Sequence, residues 1–283
     1  MIYFTLTSDA DLYCKESIMP VKVIVCAKQV LDPEMPPSAF RVDKETKRIV
    51  PPPGIPPVVN GFDENAIEAA LRIKEAVGGS VTVLSVGSSF AMDVMKKPLS
   101  MGADELILVQ GSEFGNLDSY GTACSLVGAI KKIGHFDLLL CGRQASDWDN
   151  AQVPLGIAEM LGLPCVTLAK KIEVKGASVT VHRALRDGHE VVEAPVPTVI
   201  TVTNELGEPR YPTLRGIMAA TRKTPTMWGL KDIGLDAAAL SPRVKVLDLF
   251  VPQKVSKVEL VKGDNDADSG KKLALKLREA KVI

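Results

Sequence analysis

The chain has 283 residues, with 34 Lys or Arg balanced by 34 Asp or Glu, so no basic surplus exists to neutralise a phosphate backbone and nucleic acid is not an expected partner. With 46% hydrophobic and 24% charged residues it has the proportions of a globular protein and can bury a sizeable core. No apolar run approaches the roughly 18 residues of a membrane span, and Asp9, Asp11 and Glu16 speak against a signal peptide, so a cytoplasmic location is expected.

Residues 1–20 read as an N-terminal extension, with Met19 a plausible start, and residues 21–229 as the main domain. Val21 to Val30 begins as a β-branched run suited to a buried first strand. From Leu31 to Val59 the chain is Pro-rich and predicts a long ordered loop or hairpin, because Pro restricts itself and its predecessor to extended geometry. Asn60 to Asp63 offers capping side chains to a helix in which Ala66, Ile67, Ala70, Leu71 and Val77 follow the 3.6 period. Glu68 and Arg72 pair on its wet side, and Gly78 and Gly79 end it. Val81 to Val86, Glu105 to Val109 and Phe136 to Cys141 read as strands. They are separated by a short helix over Ala91 to Leu99 and a longer one over Ser119 to Ile133, capped by Asp118.

Strands apolar on both faces, alternating with amphipathic helices, predict a doubly wound α/β fold with a mainly parallel sheet. Ligands in such sheets lie off the carboxyl ends of the strands, which singles out the loops after Val25, Val86 and Cys141. From Ile172 the period becomes 2, and Asp187-Gly188 between alternating runs signals a hairpin, hence an antiparallel extension. Residues 230–283 show little periodicity before a final helix at Lys271 to Lys281. They read as a C-terminal arm that packs on a partner or on another face of its own domain.

Five cysteines, Cys14, Cys26, Cys124, Cys141 and Cys165, include no CxxC pair and read as reduced core thiols. His135, His182 and His189 have no partner at metal-ligand spacing, and the HExxH, GxSxG, GxxxxGK[ST] and GxGxxG motifs are absent. No catalytic residue and no metal is expected. Any chemistry would be carried by a bound cofactor that the protein positions.

The loop after the fourth strand carries most of the polar groups: Gly142, Arg143, Gln144, Ala145, Ser146, Asp147, Trp148, Asp149, Asn150, Ala151, Gln152 and Val153. Gly142 permits a sharp turn, and Pro154 suits the first turn of a following helix, whose unpaired N–H groups attract phosphate. Read alone, the loop is equally a solvated turn, and Arg143 equally a phosphate contact or a surface ion pair.

Five segments together resemble one family. VIVCAKQV (23–30), NGFDENAIEAALRIKE (60–75), MGADE (101–105), CGRQASDWDNAQV (141–153) and EPRYPTLRGIM (208–218) occur in the order seen in the β subunit of electron transfer flavoprotein. The resemblance implies a fold like that of the adenine-nucleotide α-hydrolases and a heterodimer with an α subunit whose C-terminal domain carries a redox FAD. It also implies a second adenine nucleotide in this chain: AMP as a structural element in ordinary members, or a second FAD in members that bifurcate electrons from NADH. That nucleotide would be lined by Cys26, Asn60, Gly61, Phe62, Asp63, Val86 and the loop from Gly142 to Val153. Asp147 and Asn150 would order the loop, Gln152 and amides near Val153 would face phosphate, and Phe62 is expected in the core.

AMP-type members tend to carry Thr where Val153 stands, so FAD is favoured. Gly61 and Ser88 each replace a usual Pro, and Trp148 a small or acidic residue; Trp148 is either a lid over the nucleotide or a subunit contact. Gly87 to Ser89 would lie where bifurcating members receive NADH, and only in that case would the chain belong to an oxidoreductase. EPRYPTLRGIM resembles the loop that docks on acyl-CoA dehydrogenase-type flavoproteins, with Tyr211, Leu214, Arg215, Ile217 and Met218 as contacts. The alternative for this segment is a capped helix start with Leu214 folded inward. Two other functions are the alternatives: a purely structural AMP-binding subunit, and a stand-alone adenine-nucleotide hydrolase, which Cys26-Ala27-Lys28-Gln29 does not match because the SGGxDS-type phosphate loop of that class is missing.

Overall fold

The computed structural model describes residues 20–252 and 258–283, so most of the N-terminal extension and Cys14 lie outside the described residues. The chain divides into two units. The larger comprises residues 20–41 and 49–247 of the described chain; the smaller comprises 42–48 together with 248–283, less the five residues that are not described.

The larger unit is built on a nine-stranded sheet: β1 (Val21–Cys26), β2 (Gly79–Gly87), β3 (Glu105–Gln110), β4 (Leu138–Gly142), β5 (Cys165–Lys175), β6 (Ser178–Leu185), β7 (Gly188–Pro195), β8 (Thr198–Val202) and β9 (Thr226–Trp228). Their spatial order is β7-β6-β5-β8-β4-β1-β2-β3-β9. Every pairing from β5 to β9 is parallel, whereas β5–β6 and β6–β7 are antiparallel. The sheet is therefore the predicted parallel core with an antiparallel extension. The tight turn before β7 is Arg186-Asp187, since Leu185 pairs with Gly188, so Gly188 starts the strand rather than completing the turn.

Side chains alternate across each strand, and the buried ones fall into two layers. Val21, Val23 and Val25 face a cluster with Ala66, Ile67, Ala70 and Leu71 of α1 (Gly61–Val77). Ile24 and Cys26 face the opposite cluster with α2 (Ser119–Ile133) and α3 (Val153–Leu161). Asp118 caps α2 as expected, accepting from Gly121 N at 2.8 Å. Its second oxygen accepts from Val244 N at 2.9 Å, and Ile233 and Leu240 are buried against the same helix. Residues 230–247 thus belong to the larger unit, although the sequence placed them in the arm.

The first strand ends earlier than Val30. Gln29–Val30 pairs separately with Val58–Val59, closing the Pro-rich segment into a hairpin-like excursion. In the larger unit a further helix, α4, spans Leu214–Arg222, and the smaller unit carries α5. It spans Asp266–Glu279, begins five residues before the predicted start, and is capped by Asn265. No helix among the described residues is long and apolar enough to cross a membrane.

Candidate functional site

The loop leaving β1 leads to α1 on one face of the sheet, and the loop leaving β4 leads to α3 on the other. β1 and β4 are adjacent, with Cys26 opposite Cys141. A crevice between diverging loops at the carboxyl ends of neighbouring parallel strands is the usual ligand position in doubly wound sheets. The structure thus brings together the segments that sequence reading singled out around Cys26, Asn60 to Asp63 and Gly142 to Val153.

Two side chains at the start of α1 fasten this crevice. Asn60 was expected to cap the helix, but its side chain makes no cap bond. Instead its Nδ2 donates to Gln144 O at 2.9 Å and its Oδ1 accepts from Ser146 N at 3.1 Å. Asp63 is buried, and its two oxygens accept from Lys28 N at 2.8 Å and Gly142 N at 3.0 Å, one amide from each strand end. Burial pushes the Asp63 carboxyl up to about 7 despite these bonds. Gly142 is required by space: a Cβ there would lie 2.4 Å from Asp63 Oδ1 and 2.7 Å from the Phe62 carbonyl carbon.

The rest of the loop is held by side chains. The Lys28 ammonium grips the Asp147 carboxylate at 2.6 and 2.8 Å, Gln144 Nε2 donates to Asp149 Oδ1 at 2.7 Å, and Asn150 Nδ2 reaches Ser119 Oγ at 3.4 Å. Phe62 is not in the core: it is half-buried, and the Arg143 guanidinium lies 4.9 Å from its ring centroid, a cation–π arrangement. Trp148 is 48% exposed on the loop, and Val86 is half-buried at the end of β2.

Asp149 and Ala151 adopt left-handed φ values of 51° and 53°, uncommon for residues with a Cβ. Left-handed Ala151 is followed by right-handed Gln152 (φ −98°, ψ −32°), the alternation that makes successive N–H groups converge on an anion. α3 begins at Val153 with no side-chain cap, and Pro154 has no N–H to offer. The cradle therefore suits a phosphate, and Val153 brings no hydroxyl to it.

Cys26, Cys124, Cys141 and Cys165 are the cysteines among the described residues. All four are free; the adjoining Cys26 thiol, and then burial, push the Cys141 thiol well up, and burial raises Cys165.

Comparison with known proteins places these features. Residues 54–232 match the model of the electron transfer flavoprotein domain. The β subunit of electron transfer flavoprotein from Thermoanaerobacterium thermosaccharolyticum is 42% identical over 203 residues, 72% of this chain and 76% of that one. The chain belongs to the electron transfer flavoprotein β-subunit family. Two further relatives match over 93% of this chain and their own full length. The caffeyl-CoA reductase-Etf complex subunit CarD of Acetobacterium woodii is 37% identical, and the acryloyl-CoA reductase electron transfer subunit gamma of Anaerotignum propionicum is 34% identical. Electron transfer in a flavin-containing complex is therefore this chain's role.

The segment resembling the family's docking loop is both capped and exposed. Thr213 Oγ1 accepts from Gly216 N at 3.0 Å and starts α4. Leu214, however, is 76% exposed and does not fold inward, and Tyr211 is 93% exposed. Ile217 and Met218 continue an apolar stripe at helical spacing beside the exposed Arg215. The opposite side of α4 is seated by Ala220, which is buried, and by Gly216, where a Cβ would lie 2.2 Å from Ser100 O.

Sequence reading did not find what holds the root of this segment. Asn65 Nδ2 donates to Gly207 O at 2.9 Å, Arg72 Nη1 to Leu206 O at 3.0 Å, and Arg210 Nε to Glu68 Oε2 at 2.7 Å, with Glu75 bound by the same guanidinium. Glu68 does pair with Arg72 at 2.7 Å, yet it is buried rather than on a wet face. Burial works to raise its carboxyl, but the bonds from Arg210 and Arg72 outweigh that and hold it below the usual range. The missed signal was the spacing Asn65, Glu68, Arg72, Glu75, a polar stripe on α1. Arg210→Leu is expected to lower stability by about 1–3 kcal/mol and to raise amide hydrogen exchange over residues 206–211 while leaving nucleotide content intact. Unchanged exchange there would remove the anchoring role.

Proposed function

We propose that the chain pairs with an α subunit carrying a redox FAD and itself holds a second adenine nucleotide, FAD rather than AMP, between the ends of β1 and β4. The observation that carries this reading is the convergent amide cradle at Ala151 to Val153 beside the Gly142 turn. Its backbone geometry is strained, yet side chains on three elements hold it in place. A bound flavin would supply one-electron and two-electron steps. The protein's own residues bind and orient: the amides of Ala151 to Val153 take phosphate, Asn60 and Asp63 fix the loop, and Arg143 and Trp148 stand ready to cover the ligand or to meet the partner.

FAD is favoured because Val153 supplies no hydroxyl that would hold the terminal phosphate of AMP. The exposed stripe Tyr211, Leu214, Ile217 and Met218 serves as the docking face for an acyl-CoA dehydrogenase-type flavoprotein. This accords with relatives whose names tie them to caffeyl-CoA and acryloyl-CoA reductases. The arm beyond residue 247, with Val258, Leu260, Leu273 and Leu275 exposed, packs on the α subunit. NADH-dependent bifurcation is the corollary if the second nucleotide is FAD.

Purifying the heterodimer, denaturing it and counting the released nucleotides tests the reading. Two FAD per heterodimer is the expected result, and rapid bleaching by NADH would extend it to bifurcation. One FAD with one AMP would assign a simple carrier with a structural nucleotide. A single FAD and nothing else would remove the β-bound nucleotide altogether.

A further inference from the structure

We infer that Asp63 is a positioning residue whose ionised carboxylate clasps the two strand ends around the β-bound nucleotide, so that nucleotide retention follows its protonation. The inference rests on the reading of the crevice as a nucleotide site and adds to it that Asp63 acts on the walls of that site. Both of its oxygens are already occupied by backbone amides, Lys28 N from the end of β1 and Gly142 N from the end of β4.

The chemistry follows from what surrounds this carboxyl. Each group it meets is an N–H donor, so the ionised form satisfies both while the protonated form must aim its own O–H at a donor. Losing either bond frees one wall of the crevice. The Gly142 amide is the hinge of the loop that carries the Ala151 to Val153 cradle, and the Lys28 amide precedes the side chain that holds Asp147.

The other charged or titratable groups facing Asp63 do not substitute for it. From β1 comes the Lys28 ammonium, already paired with Asp147 of the loop. From β4 comes the Cys141 thiol, kept neutral by Cys26 and burial. Arg143 of the loop is seated on Phe62, and Asn60, immediately before α1, is an amide. Asp63 is thus the group here whose charge changes near neutrality, burial having raised it to about 7.

Two opposite pH dependences result. The folded chain without nucleotide holds the Asp63 proton more tightly than the unfolded chain, whose carboxyl has the ordinary value of 3.8. That contribution to stability is complete below about pH 4 and is lost as pH rises toward 7. Nucleotide binding selects the ionised clasp, so affinity rises as pH passes upward through about 7 and levels off above it.

The test uses the heterodimer with its α subunit. Exchange of the β-bound nucleotide is followed with radiolabelled FAD, or with radiolabelled AMP if that is what the denatured complex releases, between pH 6 and pH 8. Affinity should fall about tenfold from pH 8 to pH 6 in the wild type, as expected for one site titrating near 7. Asp63→Asn should bind weakly with a flat profile, because its amide keeps one acceptor and turns a donor toward the other N–H. Asp63→Glu should restore the slope in part. A flat wild-type profile, or an Asp63→Asn profile parallel to it, overturns the inference even while the nucleotide count stands. Should the variants fail to fold, a flat wild-type profile with FAD, whose diphosphate does not titrate between pH 6 and pH 8, still overturns the inference. Absence of any β-bound nucleotide instead removes the underlying reading.

Discussion

Gly142→Ala is expected to empty the nucleotide crevice and to cost the chain about 1–3 kcal/mol of stability. The added methyl would sit 2.4 Å from Asp63 Oδ1, 2.7 Å from the Phe62 carbonyl carbon and 2.8 Å from Asp63 N, and two of these three neighbours are backbone atoms of α1. A flexible side-chain tip could swing away; a helix backbone packed by Ala66, Ile67 and Ala70, which are at most 2% exposed, cannot. The strain would be relieved by pushing the β4 loop outward. That movement breaks the Gly142 N–Asp63 bond and misplaces the amides of Ala151 to Val153. Nucleotide content of the purified heterodimer and the thermal midpoint should therefore fall together. Gly162→Ala is the matched control. Gly162 sits in a left-handed turn at the end of α3, and a Cβ there meets nothing within 4 Å. It should cost only the conformational penalty of about 1 kcal/mol and leave the nucleotide in place. A Gly142→Ala heterodimer with a full complement of nucleotide would refute the close-approach argument.

The parallel core was legible in the sequence because its strands are apolar on both faces, as Val21 to Cys26 and Leu138 to Cys141 show, and because the helices between them keep a clean 3.6 period. The hairpin was legible from alternation and, one residue out of register, from Asp187-Gly188, since the turn itself is Arg186-Asp187. Local signals failed where a side chain works at long range. Asn60 stands where a cap belongs, yet it binds residues 84 and 86 positions away, and no local pattern distinguishes the two uses. Glu68 looked like a wet i,i+4 partner because Arg72 follows it, while its burial depends on Arg210, 142 residues on. Phe62 read as core on hydrophobicity alone; its ring is exposed enough to carry a guanidinium from a loop 81 residues later. The start of the arm was placed too early because residues 230–247 lack periodicity. What fixes them is a few single contacts on α2 rather than a face of their own. The residues of the candidate site came from a resemblance spread over five segments, and the structure supplies what the resemblance did not: which of them hold the walls of the crevice.

Leu214→Ala is expected to slow electron delivery to the partner flavoprotein by about 10- to 100-fold in kcat/KM while leaving the fold unaltered. Leu214 is 76% exposed, so truncating it removes almost nothing from the core. Burying such a side chain in a partner's groove is worth about 1.5–3 kcal/mol, and each 1.4 kcal/mol is a factor of ten. That magnitude suits a contact that must form and release once per electron transferred. The stripe is also positioned to deliver it: Gly216 and Ala220 seat the far side of α4 on residues 97–101, while Arg210 and Asn65 tie down its root. The helix therefore presents Leu214, Ile217 and Met218 on a rigid mount, with Tyr211 just ahead of it, and little ordering entropy remains to be lost on docking. Tyr211→Ala should add to the loss, its ring being 93% exposed three positions before Leu214. Steady-state rates against the physiological dehydrogenase, measured beside the thermal midpoint and the nucleotide count, separate docking from folding and from cofactor loss. A double variant that delivers electrons at the wild-type rate would show that this stripe covers something other than the redox partner.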